Sequence, residues 1–174
     1  GTPGISDPGE ELVKQCYEAG IEVTSLPGPA ACITALTISG LATRRFCFEA
    51  FLPVDKKERQ WILEELKTET RTMIVYEAPH HLVRTLQELS DALGADRRIT
   101  ICRELTKKHE TAFRTTFEQA LSAYEVEEPR GECVIVIEGI SVRELEEEKI
   151  RSWEEMSLEE HLEYYMKGGM DKKG

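Results

Sequence analysis

Runs of apolar and β-branched residues, each only a few residues long, alternate along the chain with longer stretches of helical periodicity. That alternation restricts the fold to a layered α/β architecture. Ile21 to Leu26, Phe46 to Leu52, Thr72 to Tyr76, Arg98 to Arg103, Thr111 to Thr115 and Glu132 to Glu138 read as strands. Pro8 to Ala19, Ala30 to Ile38, Asp55 to Lys67, Pro79 to Leu93 and Thr116 to Tyr124 read as helices, with Asp7 as N-cap of the first and Gly94 as the stop of the fourth. The order predicts a mixed, mostly parallel sheet flanked by helices, with Thr111 to Thr115 as the segment suited to pair antiparallel. The compact unit should close near Gly139, giving a domain over residues 1–139 and an incomplete, loosely attached helical tail over residues 140–174.

Two loops stand out from this framework. Gly1-Thr2-Pro3-Gly4-Ile5-Ser6-Asp7-Pro8-Gly9 and Pro27-Gly28-Pro29-Ala30-Ala31 are rigid, carry little side-chain bulk, and precede helices, so a ligand can approach their backbone closely. A loop of this kind normally follows a strand. With no initiator Met ahead of it, the first loop predicts a chain that is part of a larger protein.

The bulk numbers exclude several classes. At 174 residues, 40% apolar, the chain can bury a full core. Its longest apolar run, Cys133 to Ile137, falls far short of the roughly 20 residues of a membrane-spanning helix. A net charge of −11 argues against indiscriminate nucleic-acid binding, although Arg103, Lys107, Lys108 and Arg114 gather apart from the acidic blocks Glu125 to Glu128 and Glu144 to Glu160. Cys16, Cys32, Cys47, Cys102 and Cys133 stand singly in apolar patterns and read as core residues of a reduced, cytoplasmic protein, with no metal site.

Six segments follow one another in a fixed order: the Gly1 to Gly9 loop, Leu26-Pro27-Gly28-Pro29-Ala30-Ala31, Phe51-Leu52-Pro53, Tyr76-Glu77-Ala78-Pro79-His80-His81, Arg103-Glu104-Leu105-Thr106-Lys107-Lys108-His109-Glu110, and Gly131 to Gly139. Together they closely resemble the tetrapyrrole (corrin/porphyrin) methylase family, and within it the members that methylate a cytidine ribose 2'-oxygen in 16S ribosomal RNA. The resemblance covers Gly1 to about Gly139. It implies S-adenosylmethionine as methyl donor, a cleft shared with a smaller amino-terminal domain, a homodimer, and 16S ribosomal RNA in the small ribosomal subunit as partner. It implies cofactor contacts from Thr2, Pro3, Gly4, Ile5, Pro27, Gly28, Pro29, Ala30, Ala31 and Tyr76. Substrate contacts are implied for His80, Arg103, Thr106 and Glu110. One position departs from the family pattern: His81 stands where Arg is usual, which replaces a guanidinium fork by an imidazole largely uncharged at neutral pH.

Methyl transfer from a sulfonium requires an acceptor oxygen in line behind the carbon, so positioning supplies most of the catalysis and a base removes the hydroxyl proton. Glu104, Lys107 and Glu77 are the candidate catalytic residues. Each carboxylate also has a structural reading, Glu77 as a cap for the helix at Pro79 and Glu104 as a partner of Arg103. Trp61 reads as a packing or interface residue. Two other functions compete: a small-molecule tetrapyrrole or corrin methylase, and an inactive dimer-forming domain.

Overall fold

In a computed structural model, which describes residues 2–126 and 129–155, the strands assemble into one five-stranded sheet. The elements in chain order are α1 (Gly9–Glu18), α2 (Ala31–Ser39), β1 (Phe46–Phe51), α3 (Lys56–Leu66), β2 (Thr72–Glu77), α4 (Pro79–Leu93), β3 (Arg98–Arg103), β4 (Thr111–Thr116), α5 (Phe117–Tyr124), β5 (Cys133–Ile137) and α6 (Val142–Glu155). The sheet order is β1-β2-β5-β3-β4. Only β1 and β2 are parallel; β2–β5, β5–β3 and β3–β4 are antiparallel. The mixed α/β fold is as expected, but the balance is mostly antiparallel, because the last strand in the chain, β5, inserts between β2 and β3 and runs against both.

Every residue of β5 is buried, which fits its central place and its uninterrupted apolar sequence. On one face of the sheet Met73, Val75, Ile99, Ile101, Ile135 and Ile137 pack against α3, α4 and α5. On the other, Ile74, Cys102, Val134 and Val136 pack against α2 through Cys32, Ala35 and Leu36. The period-2 alternation of the strands thus feeds two cores. In α4 the stripe Leu82, Leu86, Leu89 and Leu93 is buried while Arg84, Gln87 and Asp91 face water. Asp55 caps α3 by accepting the N–H groups of Lys57 and Glu58 at 3.0 Å each.

Three expectations change. Ile21 to Leu26 forms no strand; Ile21, Val23 and Leu26 are exposed, and neither sheet edge, β1 or β4, lies against them. Alternation supplies the faces of a strand, but a strand also needs a neighbour to pair with. Asp7 does not cap α1, whose N-cap is Pro8; its carboxylate ties the preceding loop together instead. Of the two readings of Trp61, packing is the one that changes, since it is 60% exposed and packs into no core. The cysteine thiols are all free, and burial pushes Cys47 up to about 12 and Cys102 and Cys133 up to about 11, which keeps them protonated and unreactive at neutral pH.

The described residues divide into two compact units, Gly1–Gly139 and the residues from Ile140 on. In the second, Ser141 and Glu144 form a capping box at the start of α6: the Glu144 N–H donates to Ser141 Oγ at 3.1 Å and the Ser141 N–H donates to Glu144 Oε2 at 3.0 Å. The expected tail beyond Glu155, the acidic pair Glu127 and Glu128, and Gly1 lie outside the described residues. Among the described residues no helix is long and apolar enough to cross a membrane, and no group of His, Cys, Asp and Glu is placed to hold a metal ion.

Leu86 is fully buried at the junction of α4 with the sheet. Leu86→Ala should lower the unfolding free energy by about 2–5 kcal/mol, read from the shift of a urea transition at unchanged slope.

Candidate functional site

The sheet register collects the sequence motifs at one edge. Glu77 and Arg103, the last residues of β2 and β3, both stand opposite Cys133, the first residue of β5. Arg103 also stands opposite Thr111, and Phe51 at the end of β1 pairs with Tyr76. The Phe51, Tyr76, Arg103 and Gly131 segments therefore all leave or enter the sheet at the same end. The non-glycine residues with left-handed backbone are Ser6, Ala50, Glu104 and Thr106, with φ of 61°, 52°, 50° and 62°. All four lie in or beside these motifs, where strained backbone is characteristic of binding and catalytic loops.

Thr2, Pro3, Gly4, Pro27 and Gly28 line a single open cleft of about 750 Å³. The two loops are joined by the Thr2 N–H, which donates to the Pro29 carbonyl at 2.8 Å. Asp7 closes the first loop: its Oδ1 accepts the N–H of Gly4 at 2.8 Å and of Gly9 at 2.7 Å. A Cβ at Gly9 would come within 2.9 Å of the Gly4 nitrogen, so glycine is required for the loop to fold back on itself. Ile5 is exposed outside the cleft lining, Ala30 packs toward the α2 core, and Ala31 begins α2 with its side chain in water.

Tyr76 links this region to the sheet. Its phenol oxygen accepts the N–H of Cys32 in the first turn of α2 at 2.9 Å, and its ring meets Phe48 and Phe51 edge-on at 4.9 and 5.6 Å between centroids. Burial, followed by the Cys32 side chain, pushes its phenol up to about 12 against the opposing pull of the Cys32 N–H, so it remains neutral.

The Arg103 to Glu110 segment is a knot of its own. Glu104 Oε1 accepts the Glu132 N–H at 3.0 Å and Lys107 Nζ at 3.3 Å, while Lys107 Nζ also reaches Glu132 Oε2 at 3.0 Å. These bonds hold the Glu104 carboxyl below its ordinary range, the Glu132 N–H contributing most and Lys107 next. Glu132 and then Glu104 raise the Lys107 ammonium. The Thr106 N–H donates to Glu110 Oε2 at 2.6 Å, and the Arg103 guanidinium donates to the Arg130 carbonyl at 2.8 Å. Glu104 thus pairs with Lys107 rather than Arg103, because Arg103 is drawn to the neighbouring loop. A carboxylate held below its ordinary range is a weak proton acceptor, and its two bonds make it a strong loop anchor.

Glu77 faces the other side of the sheet from Tyr76, as adjacent strand residues must. It is 8% exposed; Oε1 accepts the Ala78 N–H at 2.8 Å and Oε2 accepts the Thr85 hydroxyl at 2.6 Å. It borders a second pocket with His81, Arg59 and Arg84. His80 is exposed and does not line that pocket; its ring lies 4.2 Å from that of His81. The sequence reading missed Arg59, Arg84 and Thr85. Arg59 and Thr85 look like ordinary helix residues in sequence; the turn from β2 into α4 brings Thr85 to Glu77, and the packing of α3 against α4 brings Arg59 to Thr85.

A layered α/β domain whose Gly/Pro loops and strand-end motifs gather on one sheet edge defines the class. The family profile described as Tetrapyrrole (Corrin/Porphyrin) Methylases matches residues 1–121, and the chain belongs to that family. It is 46% identical over 172 residues to "Ribosomal RNA small subunit methyltransferase I" of Synechocystis sp., covering 99% of this chain and 60% of that protein's length. Among solved structures, a cobalt precorrin-4 methyltransferase of cobalamin biosynthesis superposes with a TM-score of 0.59 at 17% identity, over 79% of this chain and 61% of the other. Uroporphyrin-III C-methyltransferase from Thermus thermophilus, complexed with S-adenosyl homocysteine, gives 0.53 at 19% identity over 78% and 62%.

A Cβ at Gly131, where φ is +78°, would overlap the Glu104 side chain. Gly131→Ala should therefore destabilise the chain by about 1 kcal/mol or more and free Lys107. Because the folded Glu104 carboxyl is depressed, the stabilisation from its ionised form is complete above the unfolded carboxylate pKa and is lost as pH falls through the lower folded value. The stability difference between wild type and Glu104→Gln should accordingly hold constant near neutrality and close in acid, measured by chemical denaturation from pH 7 to pH 3.

Proposed function

We propose that the protein containing this chain is an S-adenosylmethionine-dependent methyltransferase of the cytoplasm that methylates a ribose 2'-oxygen of a cytidine in 16S ribosomal RNA within the small subunit. The observation that carries this reading is the 46% identity, over 172 residues, to a protein named for methylation of small-subunit ribosomal RNA. Against it stands small-molecule tetrapyrrole methylation, which the structural neighbours perform by name but at only 17% and 19% identity. The difference in identity favours RNA.

The cleft suits the cofactor. Its walls combine the apolar side chains of Leu12, Val13 and Leu26 with the hydroxyls of Thr2, Thr24 and Ser25, and no Lys or Arg in the lining opposes a sulfonium. Gly28 is a close cradle, since a Cβ there would come within 3.1 Å of Thr2 Oγ1. When bound, S-adenosylmethionine supplies an electrophilic methyl group that an oxygen nucleophile accepts by in-line displacement. The task of the chain is then to hold the ribose hydroxyl in line.

Tyr76 fixes the start of α2, and hence the Pro27 to Ala31 turn, against the sheet. Glu104 and Lys107 act as positioning residues that hold the Arg103 to Glu110 loop at the same edge, with Lys107, half exposed, presented toward the RNA backbone. Arg103, Thr106, His80 and Glu110 belong to that RNA-facing edge. Since Glu104 is held ionised and bonded, and Glu77 is bonded through both oxygens, proton loss from the acceptor hydroxyl passes to solvent rather than to either carboxylate. The reading includes a homodimer, for which exposed Trp61 and Phe46 at the β1 edge are the first surfaces to test.

In the full-length enzyme, Lys107→Ala and Glu104→Ala should lower methylation of small subunits by about 10²-fold, the order of loss caused by a displaced reacting group, with S-adenosylmethionine affinity by calorimetry unchanged. Glu104→Gln, which keeps the acceptor for the Glu132 N–H, should retain most of the rate. Lys107→Ala should also reduce the salt slope of RNA binding by about 1. Wild-type rates in both alanine variants would remove this loop from the mechanism.

A further inference from the structure

We propose that the pocket between α3 and α4 under the Phe51 to Val54 turn receives the base of the acceptor nucleotide, a pyrimidine bearing an exocyclic amine. The proposal deepens the function argued above and rests on it. The pocket has a volume of about 320 Å³, at the small end of ligand sites, and it opens at the sheet edge where the motif loops meet.

Its polar groups are fixed before any ligand arrives. Glu77 accepts one hydrogen bond on each carboxylate oxygen, from the Ala78 N–H and the Thr85 hydroxyl, which leaves a further acceptor site on each. Arg59 is held at three points: Nε donates to Glu88 Oε2 at 2.6 Å, one terminal nitrogen to the Pro53 carbonyl at 3.3 Å, and the other to Thr85 Oγ1 at 2.8 Å. A guanidinium has five N–H groups, so two remain to donate. A buried carboxylate beside a restrained guanidinium complements an edge that presents an amine next to a ring nitrogen and a carbonyl. Cytosine has that edge; uracil places a carbonyl where the amine would be, and the carboxylate repels it.

Charge selects a base over a phosphate. Arg59 and Arg84 both pair with Glu88, at 2.6 and 2.9 Å, and Glu77 adds a second negative charge, so the pocket has no surplus cation for a phosphate. Its walls supply flat faces instead, from Pro53 and the exposed ring of His81. In this setting the imidazole that replaces the family's usual Arg is a stacking surface, and its lack of charge is no handicap.

The test uses the full-length protein with small subunits assembled from unmodified 16S transcripts that carry either C or U at the mapped acceptor nucleotide. Wild type should favour C in kcat/KM, and Glu77→Gln should lower the C-to-U ratio by roughly 5- to 150-fold, the discrimination carried by one good base-edge contact. His81→Ala, which removes an exposed ring from the pocket wall, should raise KM for both substrates equally and leave the ratio intact. A Glu77→Gln enzyme that slows both substrates alike with an unchanged ratio overturns the subsite and leaves ribosomal RNA methylation standing. If that variant fails to fold, an unchanged KM in His81→Ala overturns it equally. Failure of wild type to methylate either substrate overturns the function and the subsite with it.

Discussion

Everything at the candidate site hangs on the pairing of β5 with two strands at once. Because Cys133 faces Glu77 on one side and Arg103 on the other, the ends of β2 and β3 are brought level although they lie far apart in sequence. A slip of one residue in β5 would turn Val134 and Val136 toward the α3–α5 core and Ile135 away from it, so two hydrophobic cores oppose any slip. The register of the motifs is thereby enforced by residues buried in the two cores.

Around that fixed edge, the loops are held by polar contacts that consume most of their own functional groups. Asp7 binds the Gly/Pro loop to itself, Glu104 binds two loops through one oxygen, and Glu77 ties the end of β2 to α4. Such a site is built for placing reactants, since groups already engaged in hydrogen bonds are poor at exchanging protons and good at keeping backbone where it is. For a transfer whose donor carries its own leaving group, placement is the larger part of the requirement.

Much of this architecture could be read before any coordinates. Leu82, Leu86, Leu89 and Leu93 announce α4, Cys133 to Ile137 announces the buried strand, and the Gly/Pro content of the two loops marks the cleft that they line together. What could not be read depends on partners distant in sequence. Strand direction escaped because periodicity reports which face is buried and says nothing about which way a neighbour runs. Ile21 to Leu26 has the alternation of a strand yet pairs with nothing described. The partner of Glu104 was misread because Arg103 is adjacent in sequence, whereas Lys107 and the Glu132 N–H are adjacent in space. Arg59 and Thr85 left no trace, since a polar residue turned toward a neighbouring helix looks the same in sequence as one turned toward water.

The irregularity in β1 deserves a last consequence. Between Phe48 and Ala50 the ladder with β2 skips Glu49, so that Phe51 stands beside Tyr76. Were Glu49 to pair in its turn, Phe51 would stand opposite Glu77 and Ala50 opposite Tyr76, exchanging the faces on which the aromatic ring and the small side chain lie. The skip at Glu49 is therefore what keeps the ring of Phe51 on the Tyr76 face. A chain that lost the Glu49 codon would carry the same aromatic contact in an unbroken ladder, so the bulge is the means by which a strand one residue longer still delivers its ring to the same neighbour.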